Sequence, residues 1–112
     1  MPLLEISTNT KIEDTEAFLK QASQLTSRIL GKPESYVMVR VQQEQTLFFS
    51  GNSDPAAHVK LKSLGLPEDN TAVYSSQLCL FINEKLNISS ARIYIEFSSP
   101  ARHLWGWDER TF

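Results

Sequence analysis

The chain has a single cysteine, Cys79, among its 112 residues. One thiol excludes an internal disulfide and a cysteine-based zinc cage, and its helical context indicates a core residue. Long hydrophobic runs are also missing, since the longest, at residues 78–82, is far too short to span a bilayer. The first residues show neither the basic nor the apolar region of a signal peptide. We therefore expect a cytoplasmic protein, with export that needs no signal peptide left open.

The sequence has no run of lysine or arginine either. Its 11 basic and 13 acidic residues give a formal net charge of −2 at pH 7, which argues against a nucleic-acid surface and a basic membrane patch. The two histidines, His58 and His103, are far apart and have no carboxylate at ligand spacing, so we expect no metal site. A hydrophobic content of 41% is ordinary for a globular protein and predicts one domain over residues 1–112.

The hydrophobic pattern of the first half predicts a strand, a helix and a second strand. The first strand covers residues 4–7, and Thr10 with Glu13 matches a capping box that would start the helix. Gly31 and Pro33 would end that helix. Valines at alternate positions indicate the second strand. The expected buried face of the helix is Phe18, Ala22, Leu25 and Ile29, and the valines are Val37, Val39 and Val41.

The second half repeats this order. Residues 58–63 alternate as a strand, a helix follows and ends at Asn87, and residues 93–97 alternate as the last strand. A further short strand is expected between the two units, at residues 46–49. The second helix would bury Tyr74, Leu78, Phe81, Ile82 and Leu86.

Two such units predict an α+β fold, in which a four-stranded mixed sheet carries both helices on one face, with short edge strands besides. Right-handed crossovers place both helices on the same side. The other face of the sheet then has no cover of its own. Self-association would cover that face and the open strand edges, and a monomer with a polar outer sheet face is the alternative.

Pro2 is the residue whose position suggests the most distinctive chemistry. Its small ring should permit removal of Met1, which would leave a secondary amine at the start of the chain. A terminal amine titrates near neutral pH, and burial beside a cation keeps it neutral. Such a base can take a proton from carbon next to a carbonyl. A proline here also has a structural interpretation, because it stiffens the start of a strand.

Several short stretches, in their order and spacing, resemble the macrophage migration inhibitory factor family of the tautomerase superfamily over essentially the whole chain. The resemblance implies a homotrimer whose sheets enclose a central channel, with active sites between adjacent subunits around the amino-terminal proline. The stretches are Pro2-Leu3, Gly31-Lys32-Pro33 with Tyr36, Ser63-Leu64-Gly65, Arg92-Ile93-Tyr94-Ile95, and Gly106-Trp107 with Thr111-Phe112.

The resemblance implies catalytic roles for two residues. Pro2 would be the base that removes the proton and returns it to the product carbon. Lys32 would bind the substrate carboxylate or enolate oxygen and would repel a proton from Pro2. Lys32 also has a purely structural interpretation, because a lysine after a helix faces the negative end of its dipole.

The remaining implied site residues bind substrate. The backbone N–H of Leu64, next to Ser63, would donate to a substrate oxygen, whereas a structural interpretation places Leu64 in the core. Tyr36 and Tyr94 would be pocket walls, Tyr94 in the neighbouring subunit, or else interface residues. An aromatic rim would exclude water and receive the substrate's side chain, or would only attach the end of the chain to the fold. The rim residues are Trp107 and Phe112.

Two positions depart from the pattern of the family. Glu96 stands where well-known vertebrate members carry asparagine, and a carboxylate there would repel acidic substrates and favour a protonated Pro2. Trp105 replaces a smaller aliphatic residue at the pocket mouth. The thiol pair of some members is missing as well, since Ala56 and Val59 occupy its positions, so a thiol oxidoreductase activity is not expected.

Two hypotheses about function follow. The first is a keto–enol tautomerase that needs no cofactor and acts on small aromatic 2-oxo acids, on phenylpyruvate better than on dopachrome. The second is a cytokine-like protein that binds a protein partner or receptor and whose pocket is vestigial.

Overall fold

The computed structural model describes residues 1–112 and contains one four-stranded mixed sheet. Its strands are β1 (Leu3–Thr8), β2 (Met38–Gln42), β3 (Ala57–Lys62) and β4 (Ile93–Ser98). Strand β1 lies between β2, with which it pairs in a parallel orientation, and β3, with which it pairs in an antiparallel orientation. Strand β3 also pairs with β4, in a parallel orientation. The spatial order is therefore β2-β1-β3-β4. The two strand–helix–strand units predicted from the sequence are confirmed.

Each unit contributes one helix of 16 residues, α1 (Thr15–Leu30) and α2 (Thr71–Leu86). The capping box predicted at Thr10 is wrong, because Asp14 caps α1 by accepting a hydrogen bond from the N–H of Ala17 at 3.1 Å. Thr10 instead contacts the hydroxyl of Thr8, and Ile12 is buried in the core, so the chain turns before the helix starts. Neither helix is long and apolar enough to cross a membrane.

Both helices pack on one face of the sheet and share a single hydrophobic core with it. Alternate strand residues point into this core, as the pleat of a strand requires. Leu78 of α2 is fully buried, whereas the predicted core residues Ile29 and Leu86 are half-buried at its edge, as is Cys79. The core contains Leu4, Ile6, Val59, Leu61 and Ile93 from the sheet and Phe18, Ala22, Leu25, Tyr74, Leu78, Phe81 and Ile82 from the helices.

The outer face of the sheet is strongly polar. Glu5 on β1 accepts a hydrogen bond from Arg40 on β2 at 2.7 Å, and this guanidinium lowers the pKa of the Glu5 carboxyl. On the neighbouring strands, His58 of β3 pairs with Glu96 of β4. The uncovered face predicted from the sequence is thus present, and pairs of polar side chains run across it.

The strand predicted at residues 46–49 is wrong. That segment joins no sheet and forms only one isolated bridge, between Phe49 and Asn52. The extra short strands lie instead near the end of the chain, where β5 (Gly106–Trp107) pairs with β6 (Arg110–Thr111) in an antiparallel hairpin. The apolar run at residues 46–49 is explained by contacts of its side chains, since the ring of Phe49 packs 4.7 Å from that of Tyr94.

The end of α1 depends on Gly31, which adopts a left-handed conformation with φ of 63°. The N–H groups of Gly31 and Lys32 donate to the carbonyls of Arg28 and Ser27, the two hydrogen bonds of a Schellman motif. This turn fixes the backbone position of Lys32. Asn87 ends α2 with φ of 56°, as predicted.

We expect Gly31→Ala to lower the free energy of unfolding by about 1–2 kcal/mol, because a Cβ disfavours the left-handed conformation. No atom lies within 4 Å of the position that this Cβ would take, so the cost is conformational and not steric. Chemical denaturation followed by circular dichroism measures the change. The control is Asn87→Gly at the matching cap of α2, which should not destabilise the fold. Equal midpoints for Gly31→Ala and the unaltered protein would refute this explanation.

Candidate active site

A cavity of about 510 Å³ lies where the amino terminus, the end of α1 and the carboxy-terminal hairpin meet. Six residues predicted from the sequence come together here: five of them line the cavity, and Pro2 lies beneath Met1. The lining residues are Met1, Lys32, Pro33, Tyr36, Leu64, Gly65, Arg102, Trp107 and Phe112.

Lys32 is held at both its backbone and its side chain. Its N–H donates to the carbonyl of Ser27, and its own carbonyl accepts a hydrogen bond from the Ser27 hydroxyl. Its ammonium donates to the carbonyl of Leu64 at 2.8 Å and forms no ion pair. A fixed cation without a carboxylate partner can interact with a negative charge on a ligand.

The amino terminus lies beside this cation. The ring of Pro2 is fully buried, and its carbonyl accepts a hydrogen bond from the N–H of Met38 at 3.0 Å. The amine of Met1 lines the cavity. Burial, followed by the charges of Lys32 and Arg102, lowers the pKa of this amine below its ordinary value. The environment of the Met1 amine therefore disfavours its protonated form.

Leu64 presents a free backbone donor next to the cation. It follows β3 and precedes Gly65, whose φ of 62° turns the chain. The carbonyl of Leu64 accepts the bond from Lys32, whereas its N–H has no acceptor in the chain. Its side chain is buried, so the structural interpretation of Leu64 also holds.

Aromatic rings form one wall of the cavity. Trp107 and Phe112 stack with centroids 5.8 Å apart and planes 12° from parallel. The guanidinium of Arg110 lies 4.9 Å from the centre of the Trp107 ring. The hairpin positions both rings because the N–H of Phe112 donates to the carbonyl of Trp105. Tyr36 contributes another ring and is about half exposed.

Arg102 is a cavity residue that the sequence analysis missed. It begins a 3₁₀ turn, Arg102–Leu104, directly before the hairpin. The only signal in the sequence was a cation shortly before the aromatic residues Trp105 and Trp107. A single arginine at that spacing matches no motif, so only the three-dimensional structure shows that Arg102 lies in the cavity.

Four residues predicted for the site do not line this cavity. Ser63 is fully buried beneath Leu64, and its hydroxyl contacts the Leu64 carbonyl at 3.4 Å. Trp105 is half-buried behind the hairpin, with the ammonium of Lys62 5.8 Å from its ring centre. Tyr94 and Glu96 both project from the outer face of the sheet.

Tyr94 lines a second cavity of about 510 Å³ on that side. Its ring packs against Phe49, and Phe48, which also lines this cavity, is 74% exposed. The carboxylate of Glu96 pairs with His58, a contact that the sequence analysis missed. Parallel pairing of β3 with β4 brings these two side chains to the same face.

The chemistry available in the first cavity is proton transfer next to an anion. It holds an amine of low proton affinity, two cations, a free backbone N–H and an apolar wall. No three His, Cys, Asp or Glu side chains of the chain lie together in a way that could hold a metal ion. An acid whose enolate is stabilised by the cations could exchange a carbon-bound proton with the amine.

Comparison with known proteins agrees with this arrangement. A family model described as "Macrophage migration inhibitory factor (MIF)" matches residues 1–112. The chain is 37% identical to a macrophage migration inhibitory factor homolog of Trichinella spiralis, with all of both proteins covered. It is 34% identical to the macrophage migration inhibitory factor of Rattus norvegicus, covering the whole chain and 99% of that protein.

Solved structures show the same likeness. The crystal structure of a homologue from Prochlorococcus marinus superposes with a TM-score of 0.93 at 37% identity, over 98% of each chain. That of the factor from Trichinella spiralis also gives 0.93, at 36% identity over 98% of this chain and 99% of the other. The chain belongs to the macrophage migration inhibitory factor family.

Proposed function

We propose that this protein is a keto–enol tautomerase that needs no cofactor and acts on small aromatic 2-oxo acids such as phenylpyruvate. The observation that carries the proposal is the location of the amino terminus. Its amine lies in the cavity of Lys32, where burial and two cations lower its pKa. Family membership supports the same function.

The base in this proposal is Pro2 after removal of Met1. The hydrogen bond from Met38 to the Pro2 carbonyl and the pairing of Leu3 with Met38 hold the start of β1 independently of Met1. Loss of Met1 would therefore leave the Pro2 nitrogen facing the cavity. The neutral amine takes a proton from the carbon next to the substrate's carbonyl, and the enolate oxygen then takes up a proton from the protonated amine, which gives the enol. In the reverse direction the amine takes the proton from the enol oxygen and returns it to carbon.

Charge that develops on the substrate is stabilised by Lys32 and the N–H of Leu64. The enolate forms as the proton leaves carbon, so its oxygen becomes more negative in the transition state. A fixed ammonium and an unpaired N–H stabilise that charge more than they stabilise the ground state. Trp107 and Phe112 would pack against the ring of the substrate and keep water from the amine.

We also propose that three chains assemble around their outer sheet faces, with Tyr94 and Glu96 reaching the cavity of a neighbouring subunit. The exposed aromatic side chains of Phe48 and Tyr94 support an assembly of this kind. Both edges of the sheet, β2 and β4, are also unpaired within the chain. Assembly would cover them.

An enol-absorbance assay on the purified protein, with its intact mass recorded first, tests the proposed activity. We expect a mass without Met1. We also expect turnover of phenylpyruvate to exceed turnover of a dopachrome ester, because the carboxylate of Glu96 from a neighbouring subunit would replace the asparagine that holds a ring hydroxyl in well-known vertebrate members. The control is the same protein with Met1 retained, which should be inactive. Equal activity with and without Met1 would contradict the role of Pro2, and faster dopachrome turnover would contradict the substrate preference.

A further inference from the structure

Arg102 shares the cavity with Lys32 but differs from it, because its side chain has neither an acidic partner nor a hydrogen bond within the chain. It forms no ion pair and donates no side-chain hydrogen bond within the chain. No aspartate or glutamate lines the cavity. Within a single chain, the cavity therefore contains the two positive charges of Lys32 and Arg102 with no negative charge beside them. The one carboxylate proposed to approach it, that of Glu96, comes from a neighbouring subunit.

Three other arginines of the chain have contacts within it. Arg40 donates to Glu5 at 2.7 Å. Arg92 donates to the carbonyls of Pro55, Asn52 and Asp54. Arg110 lies over the ring of Trp107. The guanidinium of Arg102 is left available for a ligand, and its planar fork of N–H donors suits a carboxylate.

The two cations lie at different depths. Lys32 is half-buried and hydrogen-bonded to Leu64, whereas Arg102 is exposed on the turn before the hairpin. A 2-oxo acid whose acid group meets Lys32 has its other end at the mouth, between Arg102 and the stacked rings. A negative group at that outer end would reach the guanidinium.

We propose that Arg102 binds a second anionic group at the outer end of the substrate, so that the cavity prefers aromatic acids with two negative charges. This inference rests on the proposed function for the orientation of the substrate, with its 2-oxo acid at Lys32. It adds a specificity-determining residue to the site. Lys32 binds the 2-oxo acid at the end of the substrate that reacts, and Arg102 binds the anionic group at its opposite end.

Binding of two unreactive probes tests the proposal without any need for turnover. Cinnamate carries one carboxylate, and 4-carboxycinnamate carries a second one at the far end of the ring. By isothermal titration calorimetry, we expect the protein to bind 4-carboxycinnamate about five- to tenfold more tightly, as a charge-assisted hydrogen bond predicts. In Arg102→Gln this preference should fall to less than about twofold, with cinnamate affinity little changed.

Two control variants sharpen the result. Arg28→Gln removes the same charge from the groove between the helices, outside this cavity, and should keep the full preference. Arg102→Lys keeps the charge without the fork of donors and should keep part of it. An unchanged preference in Arg102→Gln would overturn the proposal, and so would an equal loss of affinity for both probes, because that loss indicates a general effect of charge on the cavity.

Kinetic measurements distinguish failure of the proposed role of Arg102 from failure of the proposed tautomerase activity. If the protein turns over neither phenylpyruvate nor its 4-carboxy derivative, the proposed activity fails, while the calorimetric preference still reports on Arg102. If both are turned over, Arg102→Gln should raise KM for the 4-carboxy compound about tenfold more than it raises KM for phenylpyruvate. An equal effect on the kinetics of both compounds would assign Arg102 to the reaction itself and contradict its role in selection.

Discussion

Pro2→Gly, with Met1 removed, should reduce kcat/KM for phenylpyruvate by at least about 100-fold, the usual contribution of a general base. Glycine leaves a primary amine on a flexible residue in place of a secondary amine that the ring holds in one orientation. The pairing at the start of β1 should persist because the backbone hydrogen bond of Pro2 uses its carbonyl and not its nitrogen, although loss of the buried ring should lower stability. Initial rates across a range of substrate concentrations measure the change.

The matched control for this variant is Pro67→Gly, which changes an exposed proline in a loop away from the cavity. We expect its kcat/KM to stay within about twofold of that of the unaltered protein. Circular dichroism and gel filtration would show whether each variant is folded and assembled. A folded Pro2→Gly protein with activity within threefold of the unaltered one would rule out Pro2 as the base.

Lys32→Gln should lower kcat/KM by about 100-fold, the effect typical of losing one donor to a developing oxyanion. Glutamine can still donate a hydrogen bond to the carbonyl of Leu64, so the loss would report mainly on charge. Since a cation repels a proton from the amine, its removal should raise the pKa of Pro2. The acid limb of the pH–rate profile, along which activity rises as the base loses its proton, should therefore move to higher pH.

Lys85→Gln is the matched control, because Lys85 occupies the last turn of the other helix and is exposed. It removes the same charge from the chain and should leave both the rate and the pH profile unchanged. A Lys32→Gln protein with the unaltered acid limb would show that Lys32 has no influence on the base.

The architecture could be predicted from the sequence because its local signals agree with one another. The apolar periodicity of both helices, the left-handed residues Gly31 and Asn87, and the alternation of β4 all indicate the same elements. The error at residues 46–49 has a physical reason. An apolar run does not show whether the backbone finds a partner strand, and in this run Phe49 packs on Tyr94 while Phe48 is exposed.

The hairpin of β5 and β6 was not predicted because its turn lacks the usual residues. Asp108 and Glu109 both adopt positive φ, of 51° and 64°. Two-residue hairpin turns with two positive φ values normally carry asparagine or glycine. Tertiary packing of Trp107 and Phe112 outweighs the local preference here.

About half of the candidate site could be anticipated from the sequence. Pro2 and Lys32 occupy positions with a chemical meaning in sequence alone, at the start of a strand and directly after a helix-ending glycine. Arg102 and the pair of His58 with Glu96 could not be found in this way. Their positions depend on strand register and on a turn near the end of the chain, which residue spacing does not encode.

The central claim is that the freed amine of Pro2 is neutral at physiological pH because of burial and a nearby ammonium. An NMR titration of the protein labelled with ¹⁵N-proline measures the pKa of this amine directly. We predict that the amine is mainly neutral at pH 7, so that its pKa lies well below the ordinary value of about 8 for a terminal amine, and that its pKa is higher in Lys32→Gln. An amine that is mainly protonated at pH 7, or one that titrates identically in both proteins, would contradict the account.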